Sequence, residues 1–137
     1  MRRSDQRRAA VVALYQHDLT GRPVDELFER NARPYTRGLA HATLDFQDEL
    51  DEAIARNATG WSVDRIAPLE RAILRVAALE LLHPELTIAD TPIPPEGAID
   101  EAVETAKRFC GADAPGFVNG VLSAILRANR DNRAAHG

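Results

Sequence analysis

Apolar residues recur at spacings of three and four along nearly the whole chain, and no stretch alternates apolar with polar residues between turn signals. That pattern predicts an all-α fold. Residues 4–19 read as a first helix, with Ser4 as a candidate N-cap and Thr20, Gly21 and Pro23 as its terminators. Residues 9–14 are apolar nearly all round, so they belong inside. A short turn over 25–28 leads to a second long helix opened by Pro34, along which Tyr35, Leu39, Ala42, Phe46, Leu50, Ala53 and Ile54 form one uninterrupted stripe. Gly60, Trp61 and Ser62 break the pattern. Pro68 opens a helix whose apolar positions (Leu69, Ile73, Leu74, Val76, Ala77, Leu81, Leu82) cover most of its circumference, which suits the middle of a bundle. His83 and Pro84 end it, and residues 91–95 read as a connector. From Pro95, Ile99, Ala102, Val103, Ala106 and Phe109 share one face and are expected in the core. After a turn at 111–116, Phe117, Val118, Val121, Leu122, Ile125 and Leu126 mark a last helix.

A length of 137 residues with 45% hydrophobic content suits one domain with a proper core. We expect residues 1–137 to form that domain, with 1–8 a flexible basic N-terminus and 128–137 a frayed tail. The single cysteine, Cys110, cannot make an internal disulfide. No apolar run spans a bilayer and the N-terminus lacks the apolar core of a secretion signal, which together predict a cytoplasmic protein. There is no phosphate loop, no dinucleotide fingerprint, no histidine pair at metal spacing and no cysteine cluster, so no catalytic, metal or cofactor site is expected. His17, His41, His83 and His136 read as surface or helix-end residues, Cys110 as a small buried hydrophobe, and Asp45, Asp48, Glu49, Asp51 and Glu52 as a solvated face.

Charge adds one localised feature. The formal net charge is -4, yet Arg2, Arg3, Arg7 and Arg8 crowd the first eight residues and run into a helix that carries Tyr15. Such a basic end is either a directed nucleic-acid contact or a solvated terminus. Arg8 and Tyr15 are seven apart on one helical stripe, so a guanidinium can meet a phosphate while the ring stacks on an unpaired base. Arg75 can clamp an RNA backbone or pair with an acidic neighbour. Phe117 can stack or fill the core, and Asn119 can read a base edge or sit near a helix start. Arg127, Arg130 and Arg133 suit the negative end of a helix dipole without any ligand.

Four segments, RRAAVVALY at 7–15, ERAILRVAALEL at 70–81, IDEAVETAK at 99–107 and FVNGVL at 117–122, resemble in order and spacing the NusB family of bacterial transcription antitermination factors. The resemblance implies an all-helical fold of two packed helical subdomains and a non-enzymatic role. It implies binding of single-stranded, boxA-like RNA from ribosomal RNA operon leaders together with NusE, a small-subunit ribosomal protein, within the RNA polymerase antitermination complex. RNA contacts are implied at Arg3, Arg7, Arg8, Tyr15, Arg75, Phe117 and Asn119, and NusE contacts at Glu80 and Asp113. Gly120 would permit close helix packing or close approach by RNA. Family members occur as monomers or homodimers, and both states stay open. Leu79, Asp100 and Cys110 depart from the family's usual aromatic, asparagine and glycine. Two other readings exist: a module related to the one fused to ribosomal RNA cytosine methyltransferases, whose methyl-donor loop this chain lacks, and a helical scaffold that binds only proteins.

Overall fold

The computed structural model describes residues 2–87 and 93–136. Among them six helices carry the fold: α1 (Arg3–Thr20), α2 (Pro34–Asp45), α3 (Gln47–Asn57), α4 (Pro68–Leu82), α5 (Pro95–Phe109) and α6 (Ala114–His136). Short 3-10 turns at Val24–Glu26, Val63–Arg65 and Pro84–Leu86 join them. Residues 91 and 92 of the expected connector lie outside the described residues. The all-helical expectation holds. Prolines at the first turns of α2, α4 and α5 stand where a backbone N–H has no helical acceptor to lose.

Helix α4 packs against all five other helices, so the α1–α3 half and the α4–α6 half share one core around it. Its residues from Ala72 to Leu81 are buried except Arg75, as an apolar circumference demands. Leu39, Leu50, Ile54, Ile73, Leu74, Leu79, Val118, Leu122 and Ile125 are the largest sealed side chains of this core, with Val76. Each stabilises the fold by about 1.5–3 kcal/mol relative to an exposed position.

Three boundaries differ from the sequence pattern. Residues 34–57 are two helices, because the chain turns at Phe46 (φ -106°, ψ 14°). No glycine or proline causes this. The Thr43 hydroxyl donates to the Leu39 carbonyl at 2.7 Å, a back-bond that bends helices, and Asp48 and Glu49 favour a fresh N-terminal turn. Residues 3–8, expected to be flexible, are the first turns of α1, and Ser4 lies inside the helix rather than capping it. Helix α6 likewise continues through the stretch expected to fray. Asn129 donates to the Leu81 carbonyl at 3.4 Å and Arg130 to Glu96 at 2.6 Å, tying it back to the bundle. At the other end of α1 the expected stop is met: Gly21 takes φ 71° and its N–H reaches the His17 carbonyl at 2.9 Å.

Candidate nucleic-acid interface

Arg7 does not point to solvent. It is 6% exposed, and its Nε donates to both carboxylate oxygens of Glu80 at 3.0 and 3.1 Å while Nη2 donates to the Tyr35 hydroxyl at 2.8 Å. Glu80 is only 2% exposed. The residues expected to contact RNA and NusE thus contact each other inside the bundle, which removes both from direct reach of a partner. Burial pushes the Glu80 carboxyl above its ordinary range, against the pull of Arg7 and of hydrogen bonds from Arg7 and Tyr35. Burial and the Glu80 charge likewise raise the Tyr35 hydroxyl.

Arg8 and Tyr15 do share a surface. Both line a groove of about 510 Å³ between α1 and α5, together with Val12, Leu69 and Phe109. Arg8 pairs with Asp5 at 2.7 Å, its own side chain 16% exposed and that of Asp5 48%, so the pair opens to solvent on the Asp5 side. The unexpected member is Phe109. The apolar stripe of α5 assigns it to the core, but it is 58% exposed. The helix ends there, and Cys110 turns extended (φ -117°, ψ 173°), so the stripe outruns its packing partners. Lys107 and Arg108 are exposed on the same last turn.

A second groove, of about 450 Å³, lies beside the first turn of α4 and is lined by Trp61, Arg65, Glu70, Asp113 and Phe117. Trp61 is 52% exposed and meets Phe117 edge-on, ring centroids 6.1 Å apart. The sequence pattern marks Trp61 only as a break between helices; an exposed indole in a loop is the available signal. Phe117 is half-buried and packs on the core from this groove. Leu69 lines the first groove and its neighbour Glu70 the second. Consecutive residues at the start of α4 thus line one groove each. There, burial and the nearby Glu70 carboxylate push the half-buried Cys110 thiol up, and burial raises Glu70 itself.

The NusB family model matches residues 4–127. The chain belongs to the NusB family. It is 42% identical over 130 residues to the transcription antitermination protein NusB of Bacillus subtilis (strain 168), spanning 91% of this chain and 95% of that protein. It is 34% identical over 144 residues to the protein of the same name from Symbiobacterium thermophilum, spanning 93% and 90% respectively. It superposes with a TM-score of 0.78 at 29% identity on a chain from a crystal structure of the antitermination factors NusB and NusE in complex with dsRNA, covering 92% of this chain and 96% of that one.

The remaining expected site residues of this NusB-family chain separate. Arg75 pairs with Asp51 through Nε–Oδ1 at 2.7 Å and Nη2–Oδ2 at 2.9 Å, and His83 reaches Glu49 at 2.8 Å, so two of the acids expected on a solvated face tie α3 to the middle of α4 and to its C-cap. Asn119 is exposed, but two residues along α6 from Phe117 it faces away from that groove. Gly120 is exposed with nothing near its missing side chain, so close packing within the chain does not explain it. Arg3 lies over the Tyr35 ring at 4.9 Å and lines neither groove. Of the departures from family usage, Leu79 is sealed in the core and Asp100 is exposed. Among the described residues there is no group of three or more potential metal ligands and no helix long and apolar enough to cross a membrane.

Proposed function

We propose that this protein is a non-enzymatic antitermination factor that acts in the cytoplasm by binding single-stranded, boxA-like leader RNA together with NusE, in the service of RNA polymerase read-through. The observation that carries the reading is a pair of grooves lined by consecutive residues of α4, Leu69 and Glu70. One holds Arg8, Tyr15 and Phe109, the other Arg65, Trp61 and Phe117. Aromatic rings interleaved with guanidinium groups are what unpaired bases on a phosphate backbone require, each stacked base being worth ~1–3 kcal/mol. The names of the relatives support antitermination, and the related NusB–NusE–dsRNA structure supports NusE and RNA, there a duplex, as partners.

Within this reading Arg8, Tyr15, Phe109, Phe117 and Trp61 contact RNA, with Arg3 and Arg65 at the margins, and Asp113 meets NusE from the groove's edge. Arg7 and Glu80 act from inside. Titration of a labelled single-stranded boxA-like RNA across a salt series tests this. About four neutralised phosphates give a slope of log affinity against log salt near -3, at roughly 0.7 per phosphate. A flat response rejects the electrostatic part, and tighter binding of duplex than of single-stranded RNA rejects the stacking part.

A further inference from the structure

The first turns of α1 have no apolar anchor. From Ala10 onward the helix is held by buried Ala10, Val11, Ala13 and Leu14, but among residues 2–9 the only buried side chain is Arg7. A helix start of that kind frays in isolation, because its hydrogen bonds compete with water and its cap position, Arg2, makes no side-chain cap bond. What holds it is polar and comes from three other helices. Glu80 of α4 and Tyr35 of α2 take the Arg7 guanidinium, with the Tyr35 hydroxyl 3.5 Å from Glu80 Oε2. Glu101 of α5 accepts from the Ser4 hydroxyl at 2.6 Å and stands 4.0 Å from Arg7 Nη1. Thr36 of α2 donates to the Gln6 carbonyl at 2.9 Å, and Arg3 covers the Tyr35 ring.

Resting on the RNA reading above, we propose that Arg7, Tyr35 and Glu80 are positioning residues. Their buried cluster clamps residues 2–8 in helical register and so holds the N-terminal arginines, Arg8 above all, at the mouth of the groove shared by Tyr15 and Phe109. The clamp converts a stretch that composition alone would leave loose into a preformed part of the binding face, removing the ordering cost from RNA association. Arg7 supports binding through this placement and not through a phosphate of its own.

The test uses the full-length chain with Tyr35→Phe, which removes one hydroxyl from a ring that stays in place, and Glu80→Gln, which removes the charge. Tyr35 is too buried to touch RNA, so any effect of its variant on binding is indirect. The amides of residues 6–9, whose helical acceptors lie in residues 2–5, are followed by hydrogen exchange, with the amides of 73–79 in α4 as the internal reference. In parallel, a single-stranded boxA-like RNA is titrated across salt. We expect exchange at 6–9 to quicken about ten-fold with α4 unchanged. RNA affinity should fall about three- to ten-fold, and the salt slope should become shallower by roughly 0.7 for each arginine that no longer meets a phosphate. Two results overturn the proposal: faster exchange at 6–9 with affinity and slope unchanged, or weaker binding with exchange unchanged. Should Glu80→Gln fail to fold, the milder Tyr35→Phe decides alone. Should the parent chain bind no RNA at all, the functional reading falls and this inference with it, a result distinct from either of the two above.

Discussion

Arg75 on α4 grips Asp51 on α3 with both prongs of its guanidinium, at 2.7 and 2.9 Å. The pair is mostly shielded, with side chains 12% and 26% exposed. Together with the Glu49–His83 contact it closes the seam between α3 and α4. Allowing for solvent screening, Arg75→Ala and Asp51→Ala should each cost about 1 kcal/mol of stability, and a double-mutant cycle should return a coupling of similar size. RNA affinity should stay near that of the parent. Denaturant melts and an RNA titration on the same preparations check both halves.

Phe109 gives the opposite profile. Removing an exposed ring by Phe109→Ala should change stability by no more than about 0.5 kcal/mol. If a base stacks there, the same change weakens RNA binding by ~1–3 kcal/mol. Fluorescence anisotropy with a labelled RNA, beside a thermal melt, separates the two effects.

The buried Glu80 has a pH signature with a definite sign. Its carboxyl is raised from the ordinary 4.5 chiefly by desolvation. The folded state therefore holds its proton to higher pH than the unfolded chain does. That contribution to stability is present below pH 4.5 and is lost as pH rises through the raised value. Glu80→Gln lacks it, so the stability margin of the parent over this variant should shrink as pH increases upward from 4.5. Melts of both proteins from acid to neutral pH measure that margin; a margin that widens with pH contradicts the assignment.

Gly120 offers a simple discrimination. Nothing lies near a Cβ built at this exposed helical position. Gly120→Ala should therefore stabilise α6 by about 0.5–1 kcal/mol. An unchanged affinity for RNA and for NusE leaves the glycine without a binding role. A loss of either affinity alongside the gain in stability locates that partner's backbone at this point of the helix.

Periodicity makes the six-helix architecture largely legible, because burying a stripe at three-and-four spacing is a local requirement that each helix states for itself. The Phe46 turn is not legible. Leu39, Leu50, Ala53 and Ile54 stay buried on both sides of it, so the apolar stripe runs on while the axis bends. Phe109 defies its pattern for a related reason: periodicity says which face a residue is on but not where the covering helices stop. Arg7 and Glu80 are 73 positions apart, and no local pattern can announce that two charges will neutralise each other in the interior. The Arg8 and Tyr15 spacing does specify a shared surface, since seven residues make two turns of a single helix. Trp61 escapes the pattern because a loop aromatic carries no periodicity, and only its edge contact with Phe117 reveals the second groove.

On the proposed reading, unpaired RNA lies across the two grooves that Leu69 and Glu70 of α4 line. Photo-cross-linking of a 4-thiouridine-substituted single-stranded boxA-like RNA to the full-length protein, with the attached peptides mapped by mass spectrometry, reads that location directly. Adducts are expected at Tyr15, Phe109, Trp61 and Phe117. Adducts concentrated instead on the groove between α3 and the end of α6, around Arg56, Asn57 and Asn132, would contradict it.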